Sequence, residues 1–156
     1  MELVWQGLRV VRRSHDHMWD RRLDIETMSV ADHTRTQSAW ADNYAAVPTP
    51  YAVVNRFLDL LNLQHDDVLV DVGCGSGRVV CCAARRPIRS AQGVELLPDA
   101  ARRAQENIRA LRGRKAQSCN VEQGDALQFD FTSATVLFLC FSLTHSVRRQ
   151  CAASSH

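Results

Sequence analysis

Apolar positions change their spacing several times along this chain, and each change marks an element. The stretch VPTPYAVVNRFLDLLNL (47–63) puts Val54, Phe57, Leu58 and Leu61 on one face of a helix. Thr49 suits its N-cap, and Pro50 suits the first helical position, where a missing N–H costs nothing. VLVDV (68–72) is a short continuous apolar run ending at a glycine, the pattern of a strand buried on both faces in a parallel sheet. RVVCCAARR (78–86) predicts a helix and SAQGVEL (90–96) a second strand. Pro98 opens another helix, with Ala101, Ala104, Ile108 and Leu111 on one face and Gly113 as its stop. SCNVEQ (118–123) is a weaker third strand, GDALQFDF (124–131) a loop, and ATVLFLCF (134–141), the most apolar run, a fourth strand.

Strands that alternate with helices predict an α/β fold, a Rossmann-like parallel sheet with helices on both faces. Residues 1–43 read differently. They hold six basic and seven acidic residues, two short amphipathic stretches and no strand alternation. The expected organisation is an N-terminal extension over 1–43, a domain over 44–141 and a tail over 142–156.

Composition narrows the function classes. At 156 residues the chain has room for one domain, and a hydrophobic fraction of 46% supports a packed core. Nineteen basic against 17 acidic residues, without long blocks, give no electrostatic footprint for nucleic acid or a membrane surface. No apolar stretch approaches the roughly 20 residues of a membrane-spanning helix. The six cysteines show neither CxxC spacing nor a secreted disulfide framework. They are expected to be reduced and mostly buried in an intracellular, cytoplasmic protein. A mitochondrial address is the alternative, since Val4, Leu8 and Val11 share helical spacing near Arg9, Arg12 and Arg13, but Glu2, Asp16 and Asp20 are wrong for an acid-poor transit peptide. His15, His17 and His33 have no spaced partner cluster, and no metal site is expected.

The chemistry gathers at DVGCGSGRVV (71–80). A glycine-rich turn between a strand and a helix lets backbone approach a ligand and aims N–H groups at it. Gly73, Gly75 and Gly77 give G-x-G-x-G, whereas a dinucleotide fold asks for G-x-G-x-x-G, and Arg78 stands at the position of its third glycine. A large side chain there counts against a nicotinamide cofactor. A P-loop is excluded because no G-K-[ST] follows.

With Asp71 two residues ahead, the motif becomes D-x-G-x-G-x-G, and from about Pro48 to Phe141 the chain resembles the class I S-adenosylmethionine-dependent methyltransferases. The resemblance implies S-adenosylmethionine as cofactor, bound by Asp71, Gly73, Cys74, Gly75, Gly77, Glu95, Asp125 and Ala126. Glu95, 18 residues past Gly77, stands where that family binds both ribose hydroxyls. Asp125 of GDA (124–126) would accept from the adenine amino group, and Ala126 would donate its backbone N–H to the ring. The glycine loop would face the methionine part and the ribose.

VPTPYAVV ahead of the loop is similar to a subgroup that includes protein-lysine methyltransferases, in which this segment folds over the cofactor. By that analogy Thr49, Tyr51 or Tyr44 would touch the methionine end, though both tyrosines also suit partly buried aromatic positions. The implied partners are S-adenosylmethionine, S-adenosylhomocysteine and a protein substrate.

The family's complete sheet has seven strands in the order 3-2-1-4-5-7-6, and this chain supplies four, giving 3-2-1-4. SLTHSVRRQCAASSH (142–156) shows no strand alternation. In place of the family's acidic or Asn residue followed by Pro-Pro-aromatic, the chain has CFSLTHSVRRQ, where only Ser142 and His145 are polar candidates, and no catalytic residue is assigned. The expectation is the cofactor-binding half of a methyltransferase, able to self-associate through an uncovered fourth strand. Two rival readings stay open: an inactive fragment that binds cofactor or a partner, and a nicotinamide-dependent oxidoreductase.

Overall fold

A computed structural model describes residues 14–28 and 48–140. They form α1 (14–23), α2 (Tyr51–Leu61), β1 (Val68–Val72), α3 (Arg78–Ala84), β2 (Ser90–Glu95), α4 (Pro98–Ala110), β3 (Ser118–Gln123) and β4 (Val136–Leu139). The strands make one parallel sheet in the order β3-β2-β1-β4, the Rossmann-like arrangement expected. Tyr44, Phe141, Ser142 and His145 lie outside the described residues.

β1 is buried along its whole length, which is why it reads as unbroken apolar sequence. Its residues serve two layers. Leu69 joins Ala91 and Val121 on one face, under α2, α3 and α4. Val68, Val70 and Val72 join Val94 on the other, under Ala126, Phe129, Phe131 and Ala134. Burying each such valine or leucine is worth about 1.5–3 kcal/mol.

The expected helices on both faces resolve, among the described residues, to helices on one. The cause is the path of the chain. Steps from β1 to β2 to β3 run in one direction, and right-handed crossovers in one direction put their helices on the same side. From β3 the chain returns to the far side of β1 through the 124–135 segment. The strand order therefore reverses between β1 and β4, the kind of switch point where open α/β sheets form a ligand crevice.

Helix ends account for smaller differences. Pro50 precedes α2, and Thr49 makes no capping bond; its hydroxyl donates instead to Cys140 Sγ (3.3 Å). α2 buries Tyr51, Val54 and Leu58, with Phe57 against the Phe138 ring (centroids 5.2 Å apart), while Leu61 is left largely outside the core. Asn62 closes the helix in the left-handed conformation (φ 47°). β4 is shorter than its apolar run because Ala134 is held in a turn, its N–H donating to Phe131 O (2.9 Å).

Residues 14–28, which the sequence pattern places in an extension, enter the same core. Leu23 and Ile25 are buried in the helical layer, and Trp19 stacks on Tyr51 (centroids 5.8 Å apart). Their pattern does not announce this, since a short helix with few apolar positions followed by a strap gives little repeat to detect.

Candidate functional site

In a parallel sheet all carboxyl ends lie on one edge, and three candidate acids meet there. Asp71 is the penultimate residue of β1, Glu95 ends β2, and Gly124–Asp125–Ala126 follows β3. Backbone bonds draw these ends together. Gly73 and Cys74 N–H donate to Val94 O (2.9 and 3.1 Å), folding the glycine loop over the end of β2. Gly124 N–H donates to Glu95 O (2.9 Å), placing the GDA turn beside it.

Glu95 is the hub. Its Oε2 accepts from Gly75 N–H (2.8 Å) and its Oε1 from Leu97 N–H (2.9 Å). A carboxylate has about four acceptor positions. Two remain for a ligand.

All three loop glycines have left-handed φ values, 73°, 55° and 81° at Gly73, Gly75 and Gly77, a conformation that other residues rarely adopt. Gly77 has a second reason to lack a side chain: a Cβ there would stand 3.0 Å from Ala104 Cβ, so it is the glycine that lets α3 pack closely on α4. Cys74 turns inward over β2, where a Cβ on Gly93 would meet its Sγ at 2.8 Å. Burial raises the Cys74 thiol well above the ordinary range, which suits a packing role.

The expectation about Arg78 is corrected here. Its side chain stays out of the close α3–α4 contact, which Gly77 and Ala104 make. It turns the other way, is 3% exposed, and is held by Asp16, Thr27, Thr49 and Tyr51. Nε donates to Thr27 Oγ1 (2.7 Å), Nη1 to Asp16 Oδ2 (2.8 Å) and Thr49 O (3.0 Å), and the guanidinium lies over the Tyr51 ring (4.4 Å).

Asp71 has the least ordinary electrostatics. It is 4% exposed, and no donor among the described residues reaches its carboxylate. Burial, and then the charge of Glu95, push its pKa up to about 8. An unpaired buried carboxylate is costly. A cationic group placed against it would relieve that cost.

At the third strand Asp125 Oδ1 accepts from Leu127 N–H (2.9 Å), a local turn that leaves its other oxygen open. Ala126 N–H has no acceptor among the described residues. Leu97 and Leu127 leave 50% and 43% of their surface exposed next to these turns, an apolar pair that sequence reasoning did not single out. Their signal, one large apolar residue two positions after each acid, is legible once the acids are placed.

Sequence reasoning also missed the polar layer behind the loop. Asp20 accepts from Thr27 N–H (2.9 Å), Thr27 Oγ1 (2.7 Å) and Tyr51 OH. Ser76 Oγ donates to Thr27 O (3.1 Å), and Asn107 Nδ2 donates to Ser76 O and Glu26 O (both 2.9 Å). Tyr51 is wholly buried in this layer, so of its two readings the buried aromatic is the one found. Of the two described residues suggested for the methionine end, Thr49 sits near the end of β4, through Cys140.

Comparison with known proteins matches residues 69–154, more than half of the chain, to the family described as "Methyltransferase domain". A protein-lysine N-methyltransferase of Saccharolobus islandicus is 35% identical over 102 residues, covering 64% of this chain and 60% of that protein. A ribosomal protein L11 methyltransferase of Clostridium botulinum is 44% identical over 46 residues, 30% of this chain and 15% of that one. The chain thus spans less than two thirds of these relatives' length. Among solved structures, an RNA methyltransferase from Salinibacter ruber in complex with S-adenosyl-L-homocysteine superposes with a TM-score of 0.59 at 37% identity, covering 69% of this chain and 68% of that one. A Geobacter sulfurreducens methyltransferase, TM-score 0.58 at 20% identity over 70% of this chain and 45% of that one, shares the fold.

Proposed function

Because the chain belongs to the methyltransferase-domain family, we propose that it binds S-adenosylmethionine across the carboxyl ends of β1, β2 and β3 and takes part in methyl transfer to a protein lysine. The observation that carries the reading is Glu95: a buried carboxylate hydrogen-bonded to the glycine loop and still holding two acceptor positions, the number a ribose diol requires.

The residues present fit the cofactor. Asp71 offers a buried carboxyl that a cationic amino acid end would pair with and draw into its ionised form. Asp125 and Ala126 offer one free acceptor and one free donor to the adenine edge, and Leu97 and Leu127 offer apolar surface to its faces. When bound, the sulfonium supplies an electrophilic methyl group. What this chain contributes is position: the loop and Glu95 hold the ribose, and the buried end of β1 excludes water. No described side chain is assigned to acceptor chemistry.

The lysine acceptor is supported by the similarity to the Saccharolobus enzyme. Incubating the chain with methyl-labelled S-adenosylmethionine, a protein mixture and RNA tests it: label in N-methyl-lysine supports the reading, and label in RNA overturns that acceptor. Calorimetric binding without transfer to either marks an inactive binding module. The nicotinamide reading falls to the family match, since Arg78 does not obstruct the turn. The free thiols among the described residues support an intracellular setting. No helix among them is long and apolar enough to cross a membrane.

Glu95→Ala is expected to weaken S-adenosylhomocysteine binding by about 1.5–3 kcal/mol, the worth of a hydrogen bond to a charged group. The variant should also discriminate less against a 2′-deoxyribose analogue. Equal discrimination by variant and parent would show that Glu95 does not read the ribose.

Self-association through β4 is part of the same proposal. β4 is one of the two edges of the sheet among the described residues, and Leu139 on it is 41% exposed. Leu139→Lys should shift the sedimentation of concentrated protein toward the monomer, as edge lysines do by opposing strand pairing. An unchanged profile would place any association elsewhere.

A further inference from the structure

A loop built on three left-handed glycines has little of its own to hold it. Glycine is the residue with the widest conformational range, so an unsupported G-x-G-x-G turn spreads over many shapes and must be ordered each time a ligand binds. Beyond its backbone bonds to Val94 and Glu95, the loop is supported in this protein by a distant part of the chain. Thr27 holds the residues on both sides of Gly77: its carbonyl accepts from Ser76 Oγ (3.1 Å) and its Oγ1 accepts from Arg78 Nε (2.7 Å). Thr27 is itself fixed by Asp20 through its N–H and hydroxyl. Arg78 then extends the hold to Asp16 and to the Thr49 carbonyl (2.8 and 3.0 Å). Asn107 of α4 closes the arrangement, bridging Ser76 O and Glu26.

This buried set is an expensive way to attach an N-terminal strap. Desolvating a guanidinium and two carboxylates is repaid only by good geometry, and apolar side chains would fasten the strap at lower cost. What polar groups add is directional restraint, and here the restraint ends on Ser76 and Arg78 rather than on a remote surface. We propose that Arg78 is a positioning residue which, with Thr27 and the 14–28 segment, holds the glycine loop in its binding shape before cofactor arrives. The proposal rests on the cofactor reading for its consequence, and on the ligand-free loop for its mechanism. It also gives residues 14–28, which the sequence pattern places in an extension, a part in cofactor binding.

Two variants of the full chain test it. Arg78→Lys keeps a cation beside Asp16 but loses the Nε bond to Thr27 and the planar stack on Tyr51. Ser76→Ala removes one hydroxyl and carries the test alone if the first variant fails to fold. Amide hydrogen exchange in the absence of ligand is compared between a peptide spanning 73–78 and one spanning β3. In either variant loop exchange should rise about tenfold with β3 unchanged, and S-adenosylhomocysteine should bind about tenfold more weakly, the effect of one net hydrogen bond of about 1.4 kcal/mol. Unchanged loop exchange, or an equal rise in β3, would overturn the proposal and leave Arg78 a general packing residue. A parent protein that does not bind S-adenosylhomocysteine would sink the cofactor reading instead, and the exchange comparison would still decide this one.

Discussion

Replacing Gly75 by valine is expected to cut S-adenosylhomocysteine affinity by roughly two to four orders of magnitude while preserving the far-UV circular dichroism of the domain. Two terms add. Gly75 sits at φ 55°, where a side chain costs about 1–2 kcal/mol, more for a β-branched one. Relief of that strain rotates the backbone and breaks the N–H bond to Glu95 (2.8 Å), a bond to a charged acceptor worth about 1.5–3 kcal/mol. Their sum, about 2.5–5 kcal/mol, converts to the stated loss. The sheet should persist because Gly75 belongs to no strand or helix. Calorimetry on parent and variant decides the matter, and equal affinities would remove the glycine loop from the site.

The second large effect is on stability. Asp71→Asn should make the ligand-free protein more stable near pH 7.5 and leave it unchanged near pH 4. The sign follows from proton binding. The folded pKa of Asp71 is raised to about 8 by burial and by Glu95, against 3.8 in an ordinary setting. Between these values the folded state holds a proton that the unfolded state has released. Its favourable contribution is fully present below the unfolded pKa and is lost as pH rises toward the folded one, at up to about 1.4 kcal/mol per pH unit. Asparagine has nothing to titrate, so its denaturation midpoint should lose that slope. The same change should weaken S-adenosylhomocysteine binding, because a cationic amino acid end would favour and pair with the ionised Asp71, which asparagine cannot supply. Parallel pH profiles for both proteins would refute this assignment. A variant that binds as well as the parent would take Asp71 out of the ligand's reach.

The candidate site was legible where local rules suffice. Asp71, Gly73, Gly75, Gly77, Glu95 and the GDA turn stand in chain order at the ends of strands, and parallel pairing carries each to the same edge without further instruction. The weaker third strand reads poorly because it is an edge: only Val121 is buried, so half of its apolar signal is missing. Arg78 was misread for a different reason. Spacing shows where a residue falls along the chain, but a side chain leaving the first residue of a helix can point toward either neighbour, and the choice depends on what fills the space behind it.

Sequence by itself determined the alternation of strands and helices, the glycine turn and the acids that frame it, because each is a matter of periodicity, backbone freedom or position relative to a strand end. Tertiary structure alone decided what stands behind the turn. Asp16, Asp20 and Thr27 lie about fifty or more residues before Arg78 and Ser76, in a segment whose own pattern is polar and short. Nothing local distinguishes a solvated Asp from one that accepts three buried hydrogen bonds, since the partners of Asp20 are assembled only when the strap folds over α2 and α3. Likewise Glu95 is an acid at the end of a strand until the loop closes and Gly75 donates to it. Burial is a property of the whole packed chain, and it is burial that makes these charges matter.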